Sequence, residues 1–165
     1  MTPPDLRLIY ESGQRTEAFR LAKERRAQHP GDEVAGEICV DYLFHMGRFE
    51  DCTDEARRVV AHQPKALKIW LAMAQAYGFT AEYDKAAACL QEAIAYLPEE
   101  TILRNHLGII YRMAGRTKDA LEVFRECARR DPGGKWNEYN MLWGFLYEPG
   151  DYAAETFAGL CEEHG

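Results

Sequence analysis

The sequence predicts an all-α protein built as a solenoid of helix-turn-helix units, and three observations predict it. Four of the seven prolines, Pro30, Pro64, Pro98 and Pro132, stand 34 residues apart. At an average proline frequency of ~5%, chance would place the last three on the order of once in ten thousand sequences. The glycines keep the same interval, with Gly13, Gly47 and Gly115 on one grid and Ala81 in the remaining slot. Between these markers apolar residues recur at steps of three and four, in two runs per period, and no run alternates as a strand would.

Each run predicts one helix. In the third period Ile69, Trp70, Met73, Ala74 and Tyr77 form one stripe, and Ala86, Leu90, Ala93 and Leu97 form the next. In the fourth the stripes are Leu103, Leu107 and Tyr111, then Ala120, Phe124 and Cys127. The second period keeps Cys39, Val40, Leu43, Phe49 and Cys52, while the first has a shortened opening helix before Ala18 and Ala22. The expected helices are therefore 4–12, 16–28, 33–46, 49–62, 67–79, 83–96, 101–113, 117–130, 136–148 and 151–163. These ten helices make about four and a half to five repeats, bounded at 1–32, 33–66, 67–100, 101–134 and 135–165, in a single domain. The fifth period slips, because Gly150 comes one residue late.

The punctuation has physical reasons. A glycine just past the first helix of a pair can adopt the left-handed conformation that ends it, at little steric cost. A proline just past the second helix cannot extend it and biases the preceding residue toward an extended backbone. Small residues are expected where paired helices approach closely, Ala74 facing Ala86 and Gly108 facing Ala120, with bulky side chains filling the rest.

Composition narrows the function. With 20 Lys and Arg against 27 Asp and Glu, the formal charge is −7. Such a chain offers no net positive field for phosphates, so nucleic acid is not an expected partner. The clusters Lys23-Glu24-Arg25-Arg26 and Arg129-Arg130 read as solvated helix ends, where cations are favoured. No charged-then-apolar leader opens the sequence and no apolar run approaches the ~20 residues that span a bilayer, so no membrane role and a cytoplasmic location are expected. The five cysteines, Cys39, Cys52, Cys89, Cys127 and Cys161, are unpaired in spacing and read as small buried apolar residues. The five histidines are scattered, so neither a metal nor a cofactor is expected. No motif with a catalytic mechanism occurs, and the carboxylate pairs Glu99-Glu100 and Glu162-Glu163 fall at a helix junction and near the C-terminus. The expectation is a protein that is not an enzyme.

The third period resembles the tetratricopeptide repeat, whose pattern is W-x2-L-G-x2-Y, then Ala, an aromatic and Pro. Trp70, Met73, Ala74, Tyr77, Ala86, Leu90, Ala93 and Pro98 fit it, as do Leu107, Gly108, Tyr111, Ala120, Phe124 and Pro132. The resemblance implies a right-handed solenoid that serves as a protein-interaction scaffold or adaptor. Its concave groove, lined by the first helix of each pair, would hold a partner protein or peptide. Carried onto this sequence, the groove set is Arg7, Tyr10, Glu37, Asp41, Phe44, His45, Lys68, Leu71, Gln75, Phe79, Asn105, Ile109, Arg112 and Met113. Glu37 and Asp41 make its early part acidic and Leu71, Phe79, Ile109 and Met113 its middle apolar, which suits a ligand with hydrophobic anchors and a basic residue. The Lys/Asn/Lys/Arg clamp of chaperone-binding members is not matched, since Asp41 stands where Asn is expected. An asparagine ladder is incomplete, with Asn105 and Asn140 offset.

The stretch Asn140-Met141-Leu142-Trp143-Gly144-Phe145-Leu146-Tyr147-Glu148-Pro149 resembles the junction between repeats and catalytic domain in bacterial relatives of O-linked glycosyltransferases. This implies an alternative role, the substrate-recognition arm of such an enzyme, selecting substrates without modifying them. Tyr152, Phe157, Leu160 and Cys161 on the expected helix 151–163 would leave an apolar edge for docking or self-association.

Overall fold

The computed structural model describes residues 5–131, which contain eight helices and no strand. They are α1 (Leu6–Glu11), α2 (Arg15–Gln28), α3 (Glu33–His45), α4 (Phe49–His62), α5 (Leu67–Phe79), α6 (Tyr83–Tyr96), α7 (Thr101–Met113) and α8 (Thr117–Arg130). The expected helices 136–148 and 151–163, the junction-like stretch and Cys161 lie outside the described residues. By its contacts the chain falls into two compact units, Met1–Glu100 and Thr101–Gly165.

The turns after α3, α5 and α7 are built the same way. Gly47 takes φ +68°, its N–H donates to the Phe44 carbonyl at 3.0 Å, and Arg48 N–H donates to the Leu43 carbonyl at 2.9 Å. Gly115 repeats this at φ +73° with bonds to Arg112 and Tyr111. This paired bonding satisfies the last carbonyls of the helix and turns the chain back. The Ala81 turn makes the same two bonds, to Gly78 and Tyr77, at φ +58° despite the side chain. The second helices end differently. His29, Gln63, Leu97 and Asp131 have φ between −132° and −137°, the extended range imposed on a residue that precedes proline.

In the first unit each helix packs on the next in sequence, and α1 touches α3 as α3 touches α5. The first helices of the three pairs therefore lie side by side, while α2, α4 and α6 pack behind them. Ala18, Ala22, Ala35, Ala56, Ala76, Ala86 and Ala93 are fully buried at this close approach. Trp70 fills the α5–α6 layer, donating from Nε1 to the Pro64 carbonyl at 2.9 Å and stacking on Tyr96. One period earlier that place belongs to Gly36, and a charged bridge replaces the aromatic anchor. The Arg26 guanidinium passes over Gly36, so that a Cβ there would sit 2.9 Å from Nη1, and its Nε reaches Glu55 Oε1 at 2.8 Å. Both side chains are largely buried; Glu55 also pairs with the exposed Arg58 at 3.3 Å, so losing Glu55 would strand the charge of Arg26.

In the second unit α7 packs on α8. A Cβ on Gly108 would collide with the Phe124 ring, so the ring occupies the space that glycine leaves. Leu103, Leu107, Ala120 and Cys127 complete this layer.

The left-handed alanine gives a direct test. An L-residue in this conformation carries about 1–2 kcal/mol of strain, partly offset by the unfolded-state entropy glycine would add. Ala81→Gly should raise stability by about 0.5–1 kcal/mol and Gly47→Ala should lower it by about 1 kcal/mol, both read as melting-temperature shifts. A loss of stability in Ala81→Gly would contradict this account of the turn.

Candidate functional site: a groove on the first-helix face

A groove of about 540 Å³ opens on the face shared by α1, α3 and α5. Its volume lies within the ~300–1,000 Å³ usual for ligand pockets. Arg7, Tyr10 and Glu11 line it from α1; Glu37, Ile38, Val40, Asp41, Phe44 and His45 from α3; Lys68, Ile69, Leu71, Ala72 and Gln75 from α5. The geometry follows from the period, since Arg7, Asp41 and Gln75 are 34 residues apart and fall at one level of three adjacent helices.

Asp41 is the centre of the polar network. Tyr10 Oη donates to Asp41 Oδ2, and His45 Nδ1 lies 3.4 Å from the same oxygen and 2.8 Å from the Asp41 carbonyl oxygen. Asp41 Oδ1 has no partner among the described residues. Burial, followed by the hydrogen bond and the negative charge of Asp41, holds the Tyr10 phenol well above its ordinary value of 10.0. Tyr10 therefore stays protonated and donating at neutral pH. Arg15 lies over the Tyr10 ring, 5.5 Å from its centroid. Arg7, on the level of Asp41, pairs with Glu37 one turn earlier on α3 at 3.0 Å, bridging α1 to α3.

Of the first-unit candidates, all but Phe79 line the groove. Phe79 is the last residue of α5, immediately before the chain turns back, and its ring lies elsewhere. It stacks on Phe49 of α4 at 5.1 Å, meets Phe44 at 5.8 Å, and remains 67% exposed. Phe44 thus belongs both to the groove and to an aromatic cluster at its edge. Asn105, Ile109, Arg112 and Met113 lie on α7 in the second unit, the first three half-buried and Met113 exposed. Sequence reasoning missed Glu11, Ile38, Val40, Ile69 and Ala72. Glu11 was within reach, because it lies 34 residues before His45, a residue already placed in the groove.

Elsewhere the titratable groups have packing roles. Cys39, Cys52, Cys89 and Cys127 are buried and free. Burial pushes the Cys39 and Cys89 thiols up to about 12 and Cys52 to about 11, and raises Cys127 as well. None is a thiolate nucleophile at neutral pH. Burial lowers the pKa of His106 below the ordinary histidine value. Among the described residues no three His, Cys, Asp or Glu side chains gather as a metal site would need, and no helix is long and apolar enough to cross a membrane.

Residues 71–135 match the family described as Tetratricopeptide repeat. Among solved structures the chain is similar to MamA from Desulfovibrio magneticus RS-1 (residues 41 to the end), at 17% identity and a TM-score of 0.75 over 95% of this chain and 89% of that one. It is similar to a thermophilic TPR protein of Thermus thermophilus, at 19% identity and a TM-score of 0.67 over 86% and 78% of the two chains. It is also similar to YrrB, a TPR protein with an unusual peptide-binding site, at 15% identity and a TM-score of 0.71 over 90% and 77%. No curated protein matches the chain. At these identities the structural likenesses show the fold, a tetratricopeptide-repeat array of helical hairpins.

The Tyr10–Asp41 bond is open to titration. Because the phenol's folded pKa lies above its unfolded one, its contribution to stability is complete below pH 10 and is lost as pH rises beyond it. The difference in phenolate absorbance between wild type and Tyr10→Phe should show a tyrosine ionising above its ordinary value, and Asp41→Asn should bring it down. An unshifted titration would contradict the bond.

Proposed function

We propose that the protein is a non-enzymatic interaction scaffold, and that the groove of α1, α3 and α5 holds an extended or helical segment of a partner protein. The observation that carries this reading is the groove itself. It is open, about 540 Å³ in volume, and combines an apolar floor of Ile38, Val40, Leu71 and Ala72 with charged side chains around it. Recognition sites of this kind take affinity from apolar anchors and register from charges. The peptide-binding site of YrrB, on the same fold, supports the same use here. The exposed Phe79, beside Phe44, extends the apolar surface beyond the groove's end. Asn105, Ile109, Arg112 and Met113 lie on α7 of the second unit, and we propose them as a partner contact of that unit in its own right.

Substitutions that fill or recharge the groove test this. Ala72→Trp and Gln75→Arg should reduce capture of partner protein about tenfold, the scale of a lost apolar anchor or an introduced like charge. Asp54→Lys, on the exposed side of α4, should leave capture unchanged. Equal capture by all three variants, each with a wild-type melting temperature, would overturn the assignment.

A further inference from the structure

The charges around the groove are not equivalent, because some are already neutralised. Arg7 and Glu37 satisfy each other at 3.0 Å. Asp41 spends Oδ2 on Tyr10 and on His45, 3.4 Å away, and keeps Oδ1 without a partner among the described residues. Glu11, exposed in the last turn of α1, and Lys68, exposed in the first turn of α5, line the groove with no ion-pair partner among the described residues. The unmet charge is therefore polarised. Glu11 and Asp41 leave one end acidic, and Lys68 leaves the other basic, with Leu71 and Ala72 between.

The separation of the two ends follows from helix geometry. Asp41 shares its level with Gln75, and Gln75 lies two turns beyond Lys68 on α5, so the levels differ by roughly 10 Å. Adjacent helix axes are ~8–10 Å apart, which makes the diagonal from Asp41 to Lys68 roughly 14 Å. An extended chain covers that in about four residues at ~3.3 Å each.

Resting on the reading above, we infer that the groove selects a bipolar segment: a Lys or Arg against Glu11 and Asp41, an apolar side chain on Leu71 and Ala72, and an acidic residue about four positions away against Lys68. The role of Tyr10 in this is to fix the Asp41 carboxylate by one oxygen and present the other. Tyr10 is thus a positioning residue for the basic end.

End-capped fluorescent peptides with a central leucine test this, measured by anisotropy on the full chain. One peptide carries Lys and Glu four positions apart, a second the same pair in reverse order, and others Lys/Lys, Glu/Glu and Gln/Gln. One of the bipolar orders should bind about fivefold more tightly than Gln/Gln, the scale of exposed charge pairs. Asp41→Asn should erase only the gain due to the peptide's Lys, and Lys68→Gln only the gain due to its Glu. Tyr10→Phe should weaken the Lys-dependent gain and leave the Glu-dependent gain intact. The inference falls if neither bipolar peptide outbinds Gln/Gln, or if the variants weaken Gln/Gln as much as the bipolar peptides. In that event the scaffold reading still stands on the groove-filling variants, whereas intact partner capture by Ala72→Trp and Gln75→Arg would sink both.

Discussion

The constraint on which the rest of the structure depends is the left-handed residue that ends each first helix. Placing one residue at positive φ lets backbone N–H groups close the helix end and sends the chain back at a fixed angle. Gly13, Gly47, Ala81 and Gly115 take that conformation at equal intervals, with φ from +58° to +91°. Equal intervals mean equal geometry, so within the first unit Arg7, Asp41 and Gln75 arrive at one level of α1, α3 and α5. The groove is a consequence of that repetition. Its floor and its charges come from whatever residues the sequence places at those levels.

The layers between the hairpins are closed by different chemistry at equivalent places. Trp70 anchors the third period through stacking and a hydrogen bond to the Pro64 carbonyl. Gly36 in the second period vacates the same space, and the Arg26–Glu55 pair crosses it. In the second unit it is Gly108, at the position corresponding to Ala74, that leaves room for an aromatic ring, that of Phe124. The Trp70 anchor and the Arg26–Glu55 bridge are alternative ways of filling one place in the layer, and they explain how the second period departs from the aromatic pattern without losing its fold. Exchanging a stacked indole for a buried ion pair makes the Arg26 charge in that layer dependent on Glu55.

The helices were legible because period and punctuation are local signals. The expected spans at 49–62, 67–79, 83–96, 101–113 and 117–130 coincide with α4 to α8, and the short first helix was visible in the weak apolar pattern before Gly13. Ala81 could be placed in a turn only because its neighbours on the grid are glycines; its own identity argues against positive φ. At the site, residues on the helix level were found and those reached by packing were not. Phe79 shares its register with Glu11 and His45, yet the chain reversal beside it carries the ring onto Phe49. Neither the Tyr10–Asp41 bond nor the Arg26–Glu55 bridge has a sequence signal, because each joins side chains about thirty positions apart whose contact is set by helix packing.

The central claim is that the α1–α3–α5 face, and not the outer helices, holds the partner. Photo-crosslinking measures this most directly, with a benzophenone side chain placed once at Gln75 in the groove and once at Arg58 on α4. The account predicts a partner adduct from position 75 and none from position 58. Adducts of equal yield from the two positions, or from position 58 alone, would contradict it.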